Sequence, residues 1–325
     1  MRKGNVSLKK KSLPNTPVML RGQSFLDTVR KNWLLLVMLL PAVLYVVVFN
    51  YLPMSGIFLS FKQFNYRDGI FGSPWNGLDN FRFLILSGKL STLTRATLLY
   101  NFGFIVVNTI LEVAVAVFIN EISCKWFKKC FQSFIFLPYF ISWVVAAAIV
   151  QALFSYEYGV INKLLELFGT KRLNINTTVS VWPTLLIVLN AWKMVGYGSV
   201  VYLSAITGID PGLYEAAELD GANKWQQIFH ITVPSLLSTI IIMTLLAVGR
   251  IFRGDFGMFY QLVGNNGVLL RETDILDTYI YRSMLGNSQL GMTAAAGLYQ
   301  SVLCFVTIMV VNALVKWIEP DYSLF

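Results

Sequence analysis

The chain has 325 residues, of which 56% are hydrophobic and 13% charged, with a formal net charge of +9 and a mean hydropathy of +0.61. Soluble domains carry about 45–50% apolar and about 25% charged residues, so this composition excludes an ordinary cytosolic enzyme, a disordered chain and a nucleic-acid-binding domain. Three cysteines (Cys124, Cys130, Cys304) make neither a disulfide framework nor a metal site at their spacing.

A polytopic membrane protein remains, and at roughly 20 residues per span the length allows about six helices. The first 32 residues carry Arg2, Lys3, Lys9, Lys10, Lys11, Arg21, Arg30 and Lys31 against a single acid, Asp27. The apolar run after this tail begins at Trp33, is long enough to span, and is followed by no small-residue cleavage site. It reads as a retained first helix whose basic flank holds the N-terminus in the cytoplasm.

Apolar windows place spans at 33–52, 98–119, 133–154, 181–206, 235–252 and 297–317. An even count returns the C-terminus to the cytoplasm. The segments 1–32, 120–132, 207–234 and 318–325 are then cytoplasmic, and 61–97, 155–180 and 253–295 lie outside. Lys125, Lys128 and Lys129 support this orientation. The domain plan is a tail (1–32), a first helix with its outer loop (33–97), a core (98–317) and a short C-terminal end (318–325). Long continuous apolar runs exclude a β-barrel.

Chemistry-bearing motifs are absent. The one histidine is His230. No GxSxG elbow occurs, and Asp255 stands where a phosphate loop ending at Gly254 would need lysine. The chain has no visible means of hydrolysing ATP. Active transport must therefore draw on a partner or an ion gradient.

Segment 207–234 is punctuated like structure rather than a connector. Asp210 can cap a helix, with Pro211 at its first position. Gly221 stands where a left-handed residue would close that helix. Asn223 can cap a second short helix over 224–231, with Trp225, Ile228 and Phe229 on its apolar side and Pro234 as its stop. From the residues alone, an interfacial hairpin joining two spans fits as well as a docking element.

In the spans, Asn101, Asn108 and Glu112 share one helical face, and Asn190, Lys193 and Tyr197 share another. Charged residues at this depth face a bundle interior or a watery cavity. They form either a pathway wall, with Trp192 and Tyr197 as stacking faces, or hydrogen-bonded contacts between helices.

Glu215-Ala216-Ala217, then Gly221, Ile231 and Val233-Pro234, is similar to the EAA signature of ATP-binding-cassette importer permeases, with Val233 where the family usually has leucine. Phe136–Trp143, Gly159-Val160-Ile161-Asn162, Trp192-Lys193 with Gly196, and Asp277–Arg282 resemble the sugar-class, polysaccharide-type permeases. The resemblance covers about residues 30–315. It implies an all-α protein of six transmembrane helices with a cytoplasmic two-helix coupling loop. It implies a non-enzymatic subunit of a bacterial cell-membrane importer with no cofactor of its own. The implied partners are a second permease chain, two ATPases that bind ATP and dock on the EAA helices, and an extracytoplasmic solute-binding protein that delivers a saccharide. Nucleic acid is not among them. The coupling residues it implies are Glu215, Ala216, Ala217, Gly221, Ile231 and Pro234. Asn108, Glu112, Asn190, Trp192, Lys193 and Tyr197 are the pathway candidates, and Glu112 and Lys193 are expected to share one cavity and to pair in one state. The competing readings are an ion-coupled secondary transporter using Glu112, and an intramembrane enzyme or scaffold; neither needs a docking site for ATPases.

Overall fold

The computed structural model describes residues 30–286 and 290–318. Most of the basic tail and of the C-terminal end lies outside them. The chain divides into two units at Ser55/Gly56. In the first, α1 (Trp33–Val46) carries Pro41 and passes into a π-helical turn, Val47–Tyr51; the 3-10 segment that follows, Leu52–Phe61, contains the boundary. Tyr45 and Phe49 pack ring against ring one turn apart, their centroids 4.9 Å apart.

The second unit is helical throughout its described length, apart from turns and one isolated bridge between Lys62 and Trp75. A short helix, α2 (Asp79–Leu86), precedes α3 (Lys89–Glu121). Gly88 lies between them with φ 66, a left-handed turn that glycine adopts without steric penalty. α3 begins nine residues before the expected span, because Leu90 and Leu93 are buried against Leu84, Leu276 and Ala295. It packs along α7 (Trp182–Thr207), and glycines set how closely the two approach. At Gly198 a β-carbon would collide with the Glu112 carboxyl of α3. At Gly196 it would collide with the backbone of Ile135 in α4 (Lys125–Phe136). Small residues at such contacts let helices pack tightly where no hydrophobic effect drives them together.

The third expected span, 133–154, is not one helix. α4 runs into a 3-10 turn, Leu137–Phe140; Ile141 is extended; Ser142 then caps α5 (Trp143–Leu153), its hydroxyl accepting from the Val145 N–H. The two helices meet at 97°. Pro138 and the capping serine explain the break: one cannot donate to the preceding turn, and the other stabilises a new helix start. Beyond α5, α6 (Val160–Leu167) is anchored by buried Asn162, which donates to Ser155 O and Leu173 O and accepts from Leu173 N at 2.7 Å. Gly159 precedes it because a β-carbon there would meet Leu153 O and Ser155 O at 2.5 Å.

The fifth span also differs from expectation. α10 (Leu237–Val248) holds only 12 residues and is preceded at 52° by the helical stretch 224–235. Then follow α11 (Phe256–Val263), α12 (Leu276–Gly286) and α13 (Leu290–Ile318), which starts seven residues ahead of its expected position. Among the described residues, four helical stretches are long and apolar enough to cross a membrane, and up to six if each bent pair counts as one span.

Two cores hold the ends of the α3–α7 pair. One gathers Tyr100, Phe104, Trp182, Leu186, Met258 and Phe259 from α3, α7 and α11. The other joins Ala116, Ile119, Tyr202, Ile206 and Leu236, with Ile228 packed against it.

Candidate functional site

Two regions carry the sequence-derived residues: the helical hairpin at 210–235 and the polar stripe between α3 and α7.

In the hairpin, the Asp210 side chain accepts from the Gly212 N–H at 2.9 Å, and α8 (Pro211–Leu219) begins on Pro211. Gly221 has φ 80 with open space around it, the left-handed geometry that its position asks for. Asn223 and Gln226 form a reciprocal capping box at the start of α9 (Lys224–Gln227). An ion pair from Lys224 Nζ to Glu218 Oε1, at 3.0 Å, spans the bend. It holds the Glu218 carboxyl below its usual range and raises the Lys224 ammonium.

The helix does not stop at Pro234. It widens into a π-turn, Ile228–Thr232, and continues through Val233–Ser235 before bending at Leu236. The wider turn moves the preceding carbonyls away from the proline ring, which has no N–H to give them. The hairpin packs on α3 and α7 along one side, through Leu236 and Ile228. Gln227, Thr232 and Leu236 are buried, and Tyr214 Oη lies 2.9 Å from Thr232 Oγ1. The other side is open. Glu215, Ala216 and Pro234 are exposed, while Ala217 and Ile231 are half-buried. Leu219 is 90% exposed, and Trp225 and Phe229, stacked at 6.3 Å, are each 62% exposed. His230 Nδ1 lies 3.0 Å from Gln226 O, an ordinary contact within the helix.

The polar stripe resolves into separate contacts. Asn108 Nδ2 donates to Asn190 Oδ1 at 2.8 Å, joining α3 to α7, and Asn101 Nδ2 donates to Ile251 O at 2.9 Å. Lys193 is 7% exposed and faces the break in the third span. Its ammonium donates to Tyr139 O at 2.9 Å, to Pro138 O at 3.4 Å and to Ile141 O, and lies over the rings of Tyr139 and Trp143. Its three N–H groups thereby meet three carbonyls at the break, adding to the Ile141 N–H that the Pro138 carbonyl already accepts. Glu112 lies over Gly198 instead, and no ion pair joins it to Lys193: among the described residues the ion pairs are Arg172–Glu166, Lys224–Glu218 and Arg282–Asp274. Tyr197 stacks on Tyr139 at 4.6 Å, and Trp192 lines an apolar groove with Val188 and Phe134.

Asp255, which is not among the sequence-derived candidates, also joins this region. Its Oδ2 accepts from Trp143 Nε1 at 2.8 Å and its Oδ1 caps α11 at Met258 N. Its position just before an apolar helix was the available signal. Trp143, Lys193 and Asp255 together tie α5, α7 and α11 to the break.

Residues 112–320 match the family of binding-protein-dependent transport system inner membrane components. The chain belongs to this family. Its relatives include the polygalacturonan/rhamnogalacturonan transport system permease protein YteP of Bacillus subtilis, 31% identical over 91% of each chain. The arabinooligosaccharides transport system permease protein AraP of the same organism is 28% identical over 84% of each chain. The fold is similar to a chain of a bacterial ABC transporter involved in the import of the acidic polysaccharide alginate. The TM-score is 0.83 at 31% identity, covering 91% of this chain and all of the other. A second structure of an alginate ABC transporter, in complex with an alginate pentasaccharide-bound periplasmic protein, aligns with a TM-score of 0.82 at 31% identity over 91% of this chain and 98% of the other.

Proposed function

We propose that this chain is one of two permease subunits of an ATP-driven importer of oligosaccharides or polysaccharide fragments, and that the 210–235 hairpin is where it couples to ATPase subunits. The observation carrying the coupling is the hairpin's one-sided burial. Its inner face is tied to α3 and α7, while Leu219, Trp225 and Phe229 stay exposed on a segment read as cytoplasmic. A connector of purely structural purpose would bury those aromatic rings, since removing apolar surface from water is favourable at about 25 cal/mol per Å². The relatives' names and the alginate-importer neighbours support the saccharide class.

In this reading six spans cross the cell membrane with both termini in the cytoplasm, each bent pair counting as one. ATP is bound by the partner ATPases and this chain carries no cofactor. An extracytoplasmic binding protein delivers the sugar. Glu215, Ala216, Ala217, Gly221, Ile231 and Pro234 form or set the docking element. The stripe of Asn108, Glu112, Asn190, Trp192, Lys193 and Tyr197 borders the pathway, with Lys193 shaping its wall through the broken span rather than meeting sugar as a free charge.

Two measurements test the reading. Affinity purification of the tagged chain is expected to bring down a second permease and an ATPase; recovery of the chain alone, still transporting, would favour the ion-coupled alternative. Single cysteines at Asn76, Lys171 and Asn265 are expected to react with an impermeant reagent in intact cells, and one at Asn223 is not. The inverse pattern would remove any contact between the hairpin and a cytoplasmic ATPase.

A further inference from the structure

At the end of α3 farthest from the hairpin, a cleft of about 620 Å³ opens between α3, the start of α7 and the short helix Leu270–Thr273. Arg95, Arg271 and Glu272 line it together with Leu99, Pro183 and Ile187. The neighbouring cation, Lys89, already lies over the Tyr279 ring at 5.0 Å, and nearby Asp274 is paired with Arg282. Among the described residues no carboxylate lies within ion-pair distance of Arg95 or Arg271. With Glu272 included, the cleft keeps one net positive charge.

Depth gives this charge its meaning. The other end of α3 packs at the hairpin, where Ile119 meets Ile228 and Leu236. Arg95 is 26 residues before Glu121, or roughly 39 Å at 1.5 Å per residue. The hydrocarbon layer is about 30 Å thick, and about 40–45 Å with headgroups. With Glu121 at one headgroup layer, Arg95 reaches the other. The guanidinium pair therefore stands at phosphate depth, with Leu99 and Ile187 on the apolar side of it.

We propose that this cleft binds the phosphodiester of an anionic phospholipid in the leaflet opposite the hairpin. Arg95 and Arg271 bind the phosphate, whose single charge balances the cleft. Planar guanidinium forks match phosphate oxygens in pairs. Leu99, Pro183 and Ile187 receive the start of an acyl chain. A saccharide fits the cleft less well: the one aromatic ring lining it is Tyr100, whose hydroxyl is already committed to Glu272 O at 2.8 Å. A lipid so held would join α3, α7 and the 270–273 helix, the elements that close this end of the unit.

The test uses the assembled importer, delipidated in detergent, titrated with phosphatidylglycerol and read by native mass spectrometry. Arg95→Gln/Arg271→Gln is expected to weaken phosphatidylglycerol binding at least about tenfold. Lys163→Gln/Lys171→Gln, with the same charge loss at exposed positions on and just after α6, is expected to leave it unchanged. Glycerol phosphate, which lacks acyl chains, is expected not to displace the lipid at equal concentration. If the double variant does not assemble, Arg271→Gln alone carries the same expectation at reduced size. Undiminished lipid binding in the arginine variants would overturn the proposal. So would displacement by glycerol phosphate, which would make the cleft a site for free phosphate. A loss of affinity for an acidic trisaccharide with lipid binding intact would overturn it too, assigning the cleft to substrate.

Discussion

Lys193 of α7 and Tyr139 of the preceding 3-10 turn are joined twice: the lysine ammonium donates to the tyrosine carbonyl at 2.9 Å and lies 5.8 Å from the centre of its ring. The same ammonium reaches the carbonyls of Pro138 and Ile141, so one side chain binds three carbonyls where the helix breaks between α4 and α5. Lys193→Met removes the lysine donor from the half-buried Tyr139 and Ile141 carbonyls, while Pro138 O keeps the Ile141 N–H, and is expected to destabilise the protein by on the order of 2 kcal/mol. Lys193→Arg keeps the charge and should recover part of this. Thermal unfolding in detergent, followed by size-exclusion chromatography, checks it. A methionine variant as stable as wild type, yet inactive, would return Lys193 to direct contact with substrate.

Gly198 and Gly196 should differ in how they tolerate alanine. At Gly198 the obstruction is the movable end of Glu112; at Gly196 it is the backbone of Ile135. Gly198→Ala is expected to lose about 1–2 kcal/mol, largely recovered by adding Glu112→Ala, whereas Gly196→Ala should lose more and find no such partner. A double-mutant cycle on thermal stability measures both. Strict additivity at 198 and 112 would mean that the two do not touch.

Gly221→Ala forces a β-carbon into the left-handed region, at about 1–2 kcal/mol, with no neighbour for the new methyl group to strike. The expected result is normal membrane insertion with weakened ATPase co-purification and uptake. Glu215→Lys, on the exposed face of α8, should weaken the same association through charge alone. Normal association in both variants would remove the docking role from the hairpin.

Asp277 offers a pH test. Burial raises its carboxyl pKa, and the Gly254 N–H, the Gln300 amide and the nearby Arg253 charge oppose that only in part. An acid raised on folding binds more protons in the native state. Its contribution is therefore most favourable below the unfolded value of about 3.9 and is lost as pH rises through the folded value. Both donors meet a single oxygen, Oδ2, at 2.7 and 3.0 Å, so an asparagine oxygen can take their place. Asp277→Asn is expected to unfold at an equal or higher temperature at pH 8 and to show a flatter pH profile above pH 4. A variant less stable at pH 8 than wild type would show that the charge itself is needed.

Local chemistry was the legible part of the sequence. The caps at Asp210 and Asn223 and the left-handed Gly221 are set by neighbours within four residues, and the structure has them as read. Hydropathy located the apolar segments but not the bend at Ile141, because a broken span is as apolar as a continuous one. Lys193 read as a pathway charge because its partners are backbone carbonyls about fifty residues away, and carbonyls leave no mark in a sequence. The same holds for Glu112, whose neighbour is a glycine on another helix, and for Pro234, where a π-turn lets the helix continue past the expected stop.

Saccharide import would be driven by ATP hydrolysis on partner subunits and coupled to this chain at the hairpin. It is tested most directly in proteoliposomes holding this chain, its partner permease, the ATPases and the sugar-loaded binding protein. Uptake of labelled oligosaccharide is expected to require ATP hydrolysis, to persist when ion gradients are collapsed, and to fall together with stimulated ATPase activity in Gly221→Asp. Uptake that continues without ATP and stops when a proton gradient is dissipated would contradict the account.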